Sequence, residues 1–139
     1  MSLNDPTTLR LITDTAMLML IWLVQLVIYP AFRSIDPARF IGWHGGYMRT
    51  FSFIVIPPML LQAGLIAVQC MRAPTPAHWI SAAAVLAAWL TTFTVSVPCH
   101  RQLQLAGNTP KWTNRLIRTN WIRTAAWSLA WLGNGFPLP

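Results

Sequence analysis

Four long apolar runs constrain the fold of this chain more than any other feature of its sequence. A helix needs about 20 mostly apolar residues to cross a membrane, and each run is close to that length. Only 9% of the residues are charged, against about 25% in soluble domains, so too few charges are present to cover a surface in water. The sequence therefore predicts one all-α membrane domain with four transmembrane helices in a bundle. The predicted helices cover residues 9–28, 48–71, 79–97 and 116–136.

Prolines mark the expected ends and bends of these helices, because proline lacks a backbone N–H and its ring crowds the preceding turn. Pro30 and Pro98 are expected to close the first and third helices, and Pro57-Pro58 to kink the second. In the first connection, an aspartate followed by proline is typical of a helix start. A short interfacial helix is expected from Pro37 to His44, ended by Gly45-Gly46.

The basic residues predict how the helices are oriented, since cytoplasmic connections of membrane proteins are enriched in Lys and Arg. The first and third connections are therefore expected in the cytoplasm and both termini outside, with the lipid bilayer of a bacterial inner membrane as the main partner. The net charge of +7 does not indicate nucleic-acid binding, because the cations are scattered over short connections. The cytoplasmic set is Arg33, Arg39, Arg49, Arg101, Lys111, Arg115 and Arg118; the opposite set is Arg10 and Arg72.

Polar residues inside the predicted spans are expected to face other helices, because ionisable groups are costly to place against lipid. In the first helix, positions 10, 14, 18, 21, 25 and 29 recur at helical spacing and form one stripe. Within it, Asp14 is expected to pair with Arg10; a proton-relay or ligand role is the alternative. In the second helix, Gln62 is expected to hydrogen-bond across helices near mid-membrane, or to help shape a pocket beside the proline kink.

Several polar side chains fall at one membrane depth, at the predicted cytoplasmic end. Arg118 and Arg123 differ by about 140° around the last helix, so Arg118 is expected to reach the headgroups and Arg123 to point inward. These residues either cap helices and extend to the headgroups, or form a binding or catalytic site. The candidate catalytic residues are His44, Arg49, His100, Asn120 and Arg123. The candidate ligand-binding residues are Tyr47, Gln62 and, as an apolar floor, Trp89, Trp127 and Trp131.

No cofactor is predicted, but a metal and a haem are alternatives. His44, His100 and Cys99 could supply three zinc ligands, although zinc normally takes four, or three plus water, and the nearby arginines oppose a divalent cation. A haem would use His44 and His100 as axial ligands and the arginines on its propionates. Cys70 and Cys99 fall at opposite ends of the predicted spans, so both are expected to be free thiols.

Several motifs occur along the whole chain: YPAF (29–32), His44 with Arg49, PPML (57–60), Trp89 with TTF (91–93), VPCHRQL (97–103) and NWIRTAAW (120–127). They resemble the motifs of a group of small bacterial four-helix membrane proteins. That group is distantly similar to the anthrone-oxygenase-like family of four-helix membrane proteins. Those members of the family that are linked to a function oxidise polycyclic phenolic anthrones without an obvious metal or flavin. The resemblance implies the same fold, and a site at His44, Arg49, His100, Asn120 and Arg123. One departure is Gln62, where an acidic residue often follows the corresponding proline–methionine motif.

Three functional hypotheses remain open at this point. In the first, the protein is a cofactor-independent membrane enzyme, such as an oxygenase, that acts on a lipophilic aromatic or quinone-like molecule. His100 or His44 would then be the general base, and Arg123 and Asn120 would stabilise the oxyanion that forms. In the second, it is a non-catalytic, lipid-binding accessory subunit of a larger membrane complex, or forms homo-oligomers. In the third, it binds haem or a metal. A transporter is less well supported, since no inverted repeat is evident.

Overall fold

The computed structural model describes residues 5–135, which form four helices. The described part of the chain is helical apart from its short connections, so the all-α prediction is confirmed. The predicted end of the last helix at Phe136 lies outside the described residues. The helices are α1 (Pro6–Ser34), α2 (Pro37–Arg72), α3 (Pro76–Ala106) and α4 (Pro110–Gly135).

Each helix begins at a proline, a position where the missing N–H would have had no partner within the helix. The residues just before α1, α2 and α3 cap them, since the side chains of Asp5, Asp36 and Thr75 each accept a hydrogen bond from a backbone N–H of the first turn. Gly107, with φ of 77°, ends α3 in the left-handed region that glycine favours. Because the connections are short, consecutive helices run antiparallel.

α1 and α3 both continue past the prolines that were expected to end them, so this prediction was wrong. Each helix contains one π turn, Val24–Ile28 in α1 and Thr92–Ser96 in α3. Pro30 and Pro98 follow these turns closely, and the carbonyl four residues before each proline lies inside the π turn. A proline ring would crowd that carbonyl in a regular α-helix, and the wider turn makes room for it.

The separate interfacial helix predicted for the first connection is also absent. The predicted start at Asp36-Pro37 is confirmed, but the helix continues through Gly45-Gly46 and through Pro57-Pro58 to Arg72. Each glycine disfavours a helix interior by only about 1 kcal/mol relative to alanine. That penalty is outweighed here because the same helix buries the aromatic ring of Phe40 and the imidazole of His44 in the core.

Three of the described helices, α1, α2 and α3, are long enough and apolar enough to cross a membrane. Their outward faces carry large exposed apolar side chains, among them Phe53 and Leu86. α4 is long, but its first half carries Lys111, Arg115 and Arg118, and it is less apolar than the other three helices.

α4 packs most extensively against α3 and α1. A face of small residues on α3 lies at this contact: Ser81, Ala84 and Ala88 are buried, whereas Ala87 is exposed. The Ser81 hydroxyl donates a hydrogen bond of 3.2 Å to the carbonyl of Ala130. Small side chains here allow the two backbones to approach closely.

A larger side chain at the small face should therefore destabilise the bundle. We expect Ala88→Leu to lower the free energy of unfolding by about 1–3 kcal/mol, because the contact has no space for it. Ala87→Leu, one residue along the helix on the exposed face, should change it by less than about 0.5 kcal/mol. Thermal unfolding of the detergent-solubilised variants, followed by circular dichroism, measures the stability change of each variant. Equal changes for Ala88→Leu and Ala87→Leu would contradict the packing described.

Candidate functional site

A continuous chain of hydrogen bonds joins four helices at one end of the bundle. Arg123 Nη1 of α4 is 3.3 Å from the hydroxyl of Tyr29 in α1. That hydroxyl is 3.1 Å from His100 Nε2 in α3. His100 Nδ1 is 3.0 Å from His44 Nε2 in α2, and His44 Nδ1 is 2.8 Å from Gln104 Oε1. This series of hydrogen bonds therefore runs from the buried guanidinium of Arg123 to the half-buried amide of Gln104 near the end of α3.

When both imidazoles are neutral, the direction of every hydrogen bond in this series follows from its two ends. The Gln104 amide nitrogen donates to the carbonyl of Ile41, so its oxygen faces His44 and accepts the proton of His44 Nδ1. A neutral His44 then accepts at Nε2 from the Nδ1–H of His100. His100 in turn accepts at Nε2 from the hydroxyl of Tyr29, whose oxygen accepts from Arg123. With neutral imidazoles, this pattern places the proton of each ring on Nδ1.

Neutral side chains hold the Arg123 guanidinium in place. Besides Tyr29, its Nη1 donates to the hydroxyl of Ser96 at 3.2 Å and to the amide oxygen of Asn120 at 3.1 Å. Asn120 donates in turn to Gln25 Oε1 at 2.9 Å. Gln25 and Ser96 belong to the two π turns, so these irregular turns place polar side chains beside the arginine.

The charge of Arg123 has no carboxylate partner among residues 5–135. The ion pair found in that part of the chain joins Arg10 and Asp14 elsewhere in the bundle. Arg123 is 5% exposed, and its Nε is buried without a hydrogen-bond partner. The face of Trp127 lies 5.3 Å from the guanidinium carbon and attracts the cation, but it supplies no negative charge. A buried cation compensated only by dipoles is a favourable place for an anionic oxygen.

An apolar cavity of about 270 Å³ adjoins this arginine. Its walls come chiefly from α2 and α3, with Phe51, Met59 and Trp89 among the apolar residues. Its polar residues include Tyr29, Ser96, His100 and Arg123, which are also members of the hydrogen-bonded cluster. The outer wall includes the exposed side chains Ile56, Leu60, Phe93 and Val97. The cavity therefore combines apolar walls with one polar patch, as small-molecule sites commonly do.

A second buried polar cluster lies further along α1 and contains the predicted ion pair. Arg10 Nε is 3.2 Å from Asp14 Oδ2, and the pair is fully buried. Gln62 donates to Asp14 at 2.6 Å and accepts the indole N–H of Trp127 at 2.9 Å, while Arg10 also donates to Gln69. The predictions that Asp14 pairs with Arg10 and that Gln62 bonds across helices are confirmed. Trp127 separates this cluster from Arg123.

The structure brings together four of the five candidate catalytic residues: His44, His100, Asn120 and Arg123 are all buried in the cluster. Arg49 is not part of it, because its side chain is exposed on a different face of α2 from His44. Arg123 points inward and Arg118 is exposed, as predicted. The division between the two faces of the last helix is therefore confirmed.

The candidate ligand-binding residues are dispersed. Trp89 lines the cavity. Trp127 is fully packed between Arg123 and Gln62, whereas Trp131 is half-buried and donates its indole N–H to Thr15 at 3.0 Å. Tyr47 stacks on Trp43 and Phe51, outside the cavity lining, and its buried hydroxyl has no hydrogen-bond partner.

Four members of the site were missing from the predicted set: Gln25, Tyr29, Ser96 and Gln104. Ser96 and Gln104 lie four residues before and after His100, a spacing that places them near its face of the helix. Gln25 and Tyr29 are the last two positions of the polar stripe of the first helix. The spacing around His100 and the polar stripe are both visible in the sequence. Because polar residues are common near the ends of helices, neither pattern by itself distinguishes a functional site from an ordinary helix end.

The two histidines leave no room for a metal or haem between them in this arrangement. Their rings stack with centroids 5.2 Å apart and share a direct hydrogen bond. A haem iron would need the macrocycle between them. No group of three or more His, Cys, Asp or Glu side chains suited to a metal occurs in residues 5–135. Cys70 and Cys99 are both free.

Comparisons with known proteins do not assign this chain to a group: no family model, curated protein or solved structure matches it.

The Arg10–Asp14 pair offers a test of the second cluster. Asp14→Asn should destabilise the fold by about 3–5 kcal/mol, because it leaves a buried guanidinium without its counter-charge. Replacing both partners, Arg10→Met with Asp14→Leu, should recover much of that loss. Asp36→Asn is the control, since asparagine caps a helix as well as aspartate does. Thermal unfolding in detergent ranks the variants by stability. A double variant less stable than Asp14→Asn would contradict the pairing.

Proposed function

We propose that the protein is a four-helix integral membrane protein that binds a lipophilic aromatic molecule in the cavity between α2 and α3. The distribution of exposed cations supports the orientation in the membrane that the sequence predicts. Seven exposed cations lie toward the end of the bundle that holds His44 and Gln104, and Arg72 lies at the other end. Arg10 is buried in its ion pair and adds no charge to the outer surface. The His44 end then faces the cytoplasm of a bacterial inner membrane, and both termini lie outside.

The class of ligand follows from the two parts of the cavity. Its apolar walls favour a hydrophobic ring system, and its outward side, with exposed Ile56, Leu60 and Phe93, gives access from the lipid. At the polar patch, Arg123 has no carboxylate partner in the described residues, and this observation carries the proposal. A ligand oxygen that is negative, or becomes negative, would supply the missing charge. Phenols, and quinones that accept negative charge, meet both requirements.

The same patch suits removal of a proton from the ligand. Neutral imidazoles next to a guanidinium combine a proton acceptor with a group that stabilises the resulting oxyanion. Asn120 is fully buried behind Arg123, so its part is to hold the guanidinium rather than to touch the ligand. The resemblance to anthrone-oxygenase-like proteins suggests the reaction: the anthrone methylene loses two hydrogens and gains one oxygen from O₂, and the other oxygen leaves as water.

Anthrone oxidation in membrane vesicles tests this activity. Vesicles with the wild-type protein should convert anthrone to anthraquinone with one O₂ consumed per product, above the spontaneous rate in protein-free vesicles. Arg123→Gln should lower kcat by about 10²–10³-fold, the cost typical of losing an oxyanion-stabilising donor. Arg118→Gln removes the same charge from the exposed face of the same helix and should leave the rate unchanged. Equal rates for the two variants would exclude Arg123 from the site.

A second test addresses the cavity rather than the chemistry. Val55→Trp places a large ring into the cavity wall, and we expect it to raise the KM for anthrone at least about tenfold by excluding the ligand. Leu61→Trp makes a similar change on the exposed face of α2 and should leave KM unaltered. Thermal unfolding of both variants separates a filled cavity from a misfolded protein. An unchanged KM in a folded Val55→Trp protein would place the ligand elsewhere.

The accessory-subunit and haem hypotheses are separated from this proposal by purification from native membranes. A stoichiometric partner protein with no bound aromatic molecule would favour the accessory subunit. A Soret absorption band would favour haem.

A further inference from the structure

The hydroxyl of Tyr29 lies between the guanidinium of Arg123 and the imidazole of His100, on the polar patch of the cavity. Neither nitrogen of His100 is free to take a proton from a ligand directly. Its Nδ1 is hydrogen-bonded to His44, and its Nε2 is hydrogen-bonded to the Tyr29 hydroxyl. The tyrosine oxygen donates one proton and accepts one bond from Arg123, so one lone pair remains.

We infer that Tyr29 is the catalytic residue that exchanges a proton with the bound molecule, and that His100 and His44 relay that proton away from the cavity. This inference rests on the proposed function and replaces direct attack by a histidine. His100 and His44 thereby become relay groups behind the tyrosine.

The transfer balances in protons and charge. The ligand's hydroxyl, or activated C–H, gives its proton to the free lone pair of Tyr29, and Tyr29 passes its own proton to His100 Nε2. His100 passes its Nδ1 proton to His44 Nε2. The ligand becomes an anion beside Arg123, Tyr29 and His100 end as neutral as they began, and His44 becomes an imidazolium donating to Gln104. No electron leaves the ligand in this step.

Two histidines in series have a physical advantage over one. A proton left on His100 would lie one residue away from the guanidinium of Arg123 along the chain of hydrogen bonds and would be repelled by it; on His44 the two positive charges are further apart. Two aromatic rings also lie against His44. Phe40 stacks on its ring with centroids 5.2 Å apart, and Phe32 presents its ring at 5.7 Å. Aromatic faces attract positive charge in buried sites.

The positions of the protons can be measured without any ligand. The chain has only three histidines, so ¹⁵N NMR of ring-labelled protein in detergent gives three resolvable imidazoles, assigned with His78→Gln and His44→Gln. We expect His44 and His100 to be neutral with the proton on Nδ1. Tyr29→Phe should shift the Nε2 resonance of His100, because it loses its donor. Tyr47→Phe is the matched control, since it removes the other tyrosine hydroxyl of the chain, which has no partner. Protons on Nε2, or an unshifted His100 resonance in Tyr29→Phe, would overturn the inference.

The catalytic part is tested with anthrone as the probe. Tyr29→Phe should lower kcat on the order of 100-fold, within the range for loss of a general acid–base group, with KM changed by less than about threefold. Tyr47→Phe should retain the wild-type rate. Full activity of Tyr29→Phe alongside an active wild type would overturn the relay while leaving the proposed function intact. A wild-type protein with no rate above protein-free vesicles would overturn the proposed function itself.

Discussion

The burial of Arg123 among neutral groups is the constraint on which the rest of the site depends. A guanidinium removed from water needs hydrogen-bond acceptors for its N–H groups and a compensating negative charge. A carboxylate would ordinarily supply both. Here Tyr29, Ser96 and Asn120 supply oxygen dipoles, and Trp127 supplies an aromatic face. Each of these partners comes from a definite position on its helix. The arginine therefore fixes the register of α1 and α3 against α4, and it keeps a positive potential at the cavity.

The irregular parts of α1 and α3 serve the same arrangement. The two π turns each contain a polar side chain of the cluster, Gln25 or Ser96, and a second member, Tyr29 or His100, follows within a turn. A π turn adds a residue to the helix and so changes which faces of the flanking segments point inward. The prolines that follow keep the turn wide, because an ordinary α turn would clash with their rings. The same feature explains why the helices continue and why these polar residues meet Arg123.

The two polar clusters of the bundle have different characters. Around Asp14, the carboxylate accepts hydrogen bonds from the Arg10 guanidinium and the Gln62 amide, and Arg10 also donates to Gln69. Charge is therefore balanced within the protein. Around Arg123, charge is balanced only by dipoles, and the cluster borders a cavity. Trp127 separates them, with its N–H directed to Gln62 and its ring face to Arg123. An internally balanced cluster suits a structural role, whereas an unbalanced one beside a cavity suits binding.

The sequence by itself determined the helical class, the inward faces of α1 and α4, the Arg10–Asp14 pair and the opposite directions of Arg118 and Arg123. These follow from local quantities, namely apolar length and a period of 3.6 residues, which need no knowledge of neighbouring helices. Only the tertiary structure decided that Pro30 and Pro98 lie inside helices, that Arg49 lies outside the site, and that Tyr29 connects Arg123 to His100. Such contacts depend on how far each helix is displaced and rotated against the next. A single π turn changes both, and its position is set by packing as much as by the residues within it.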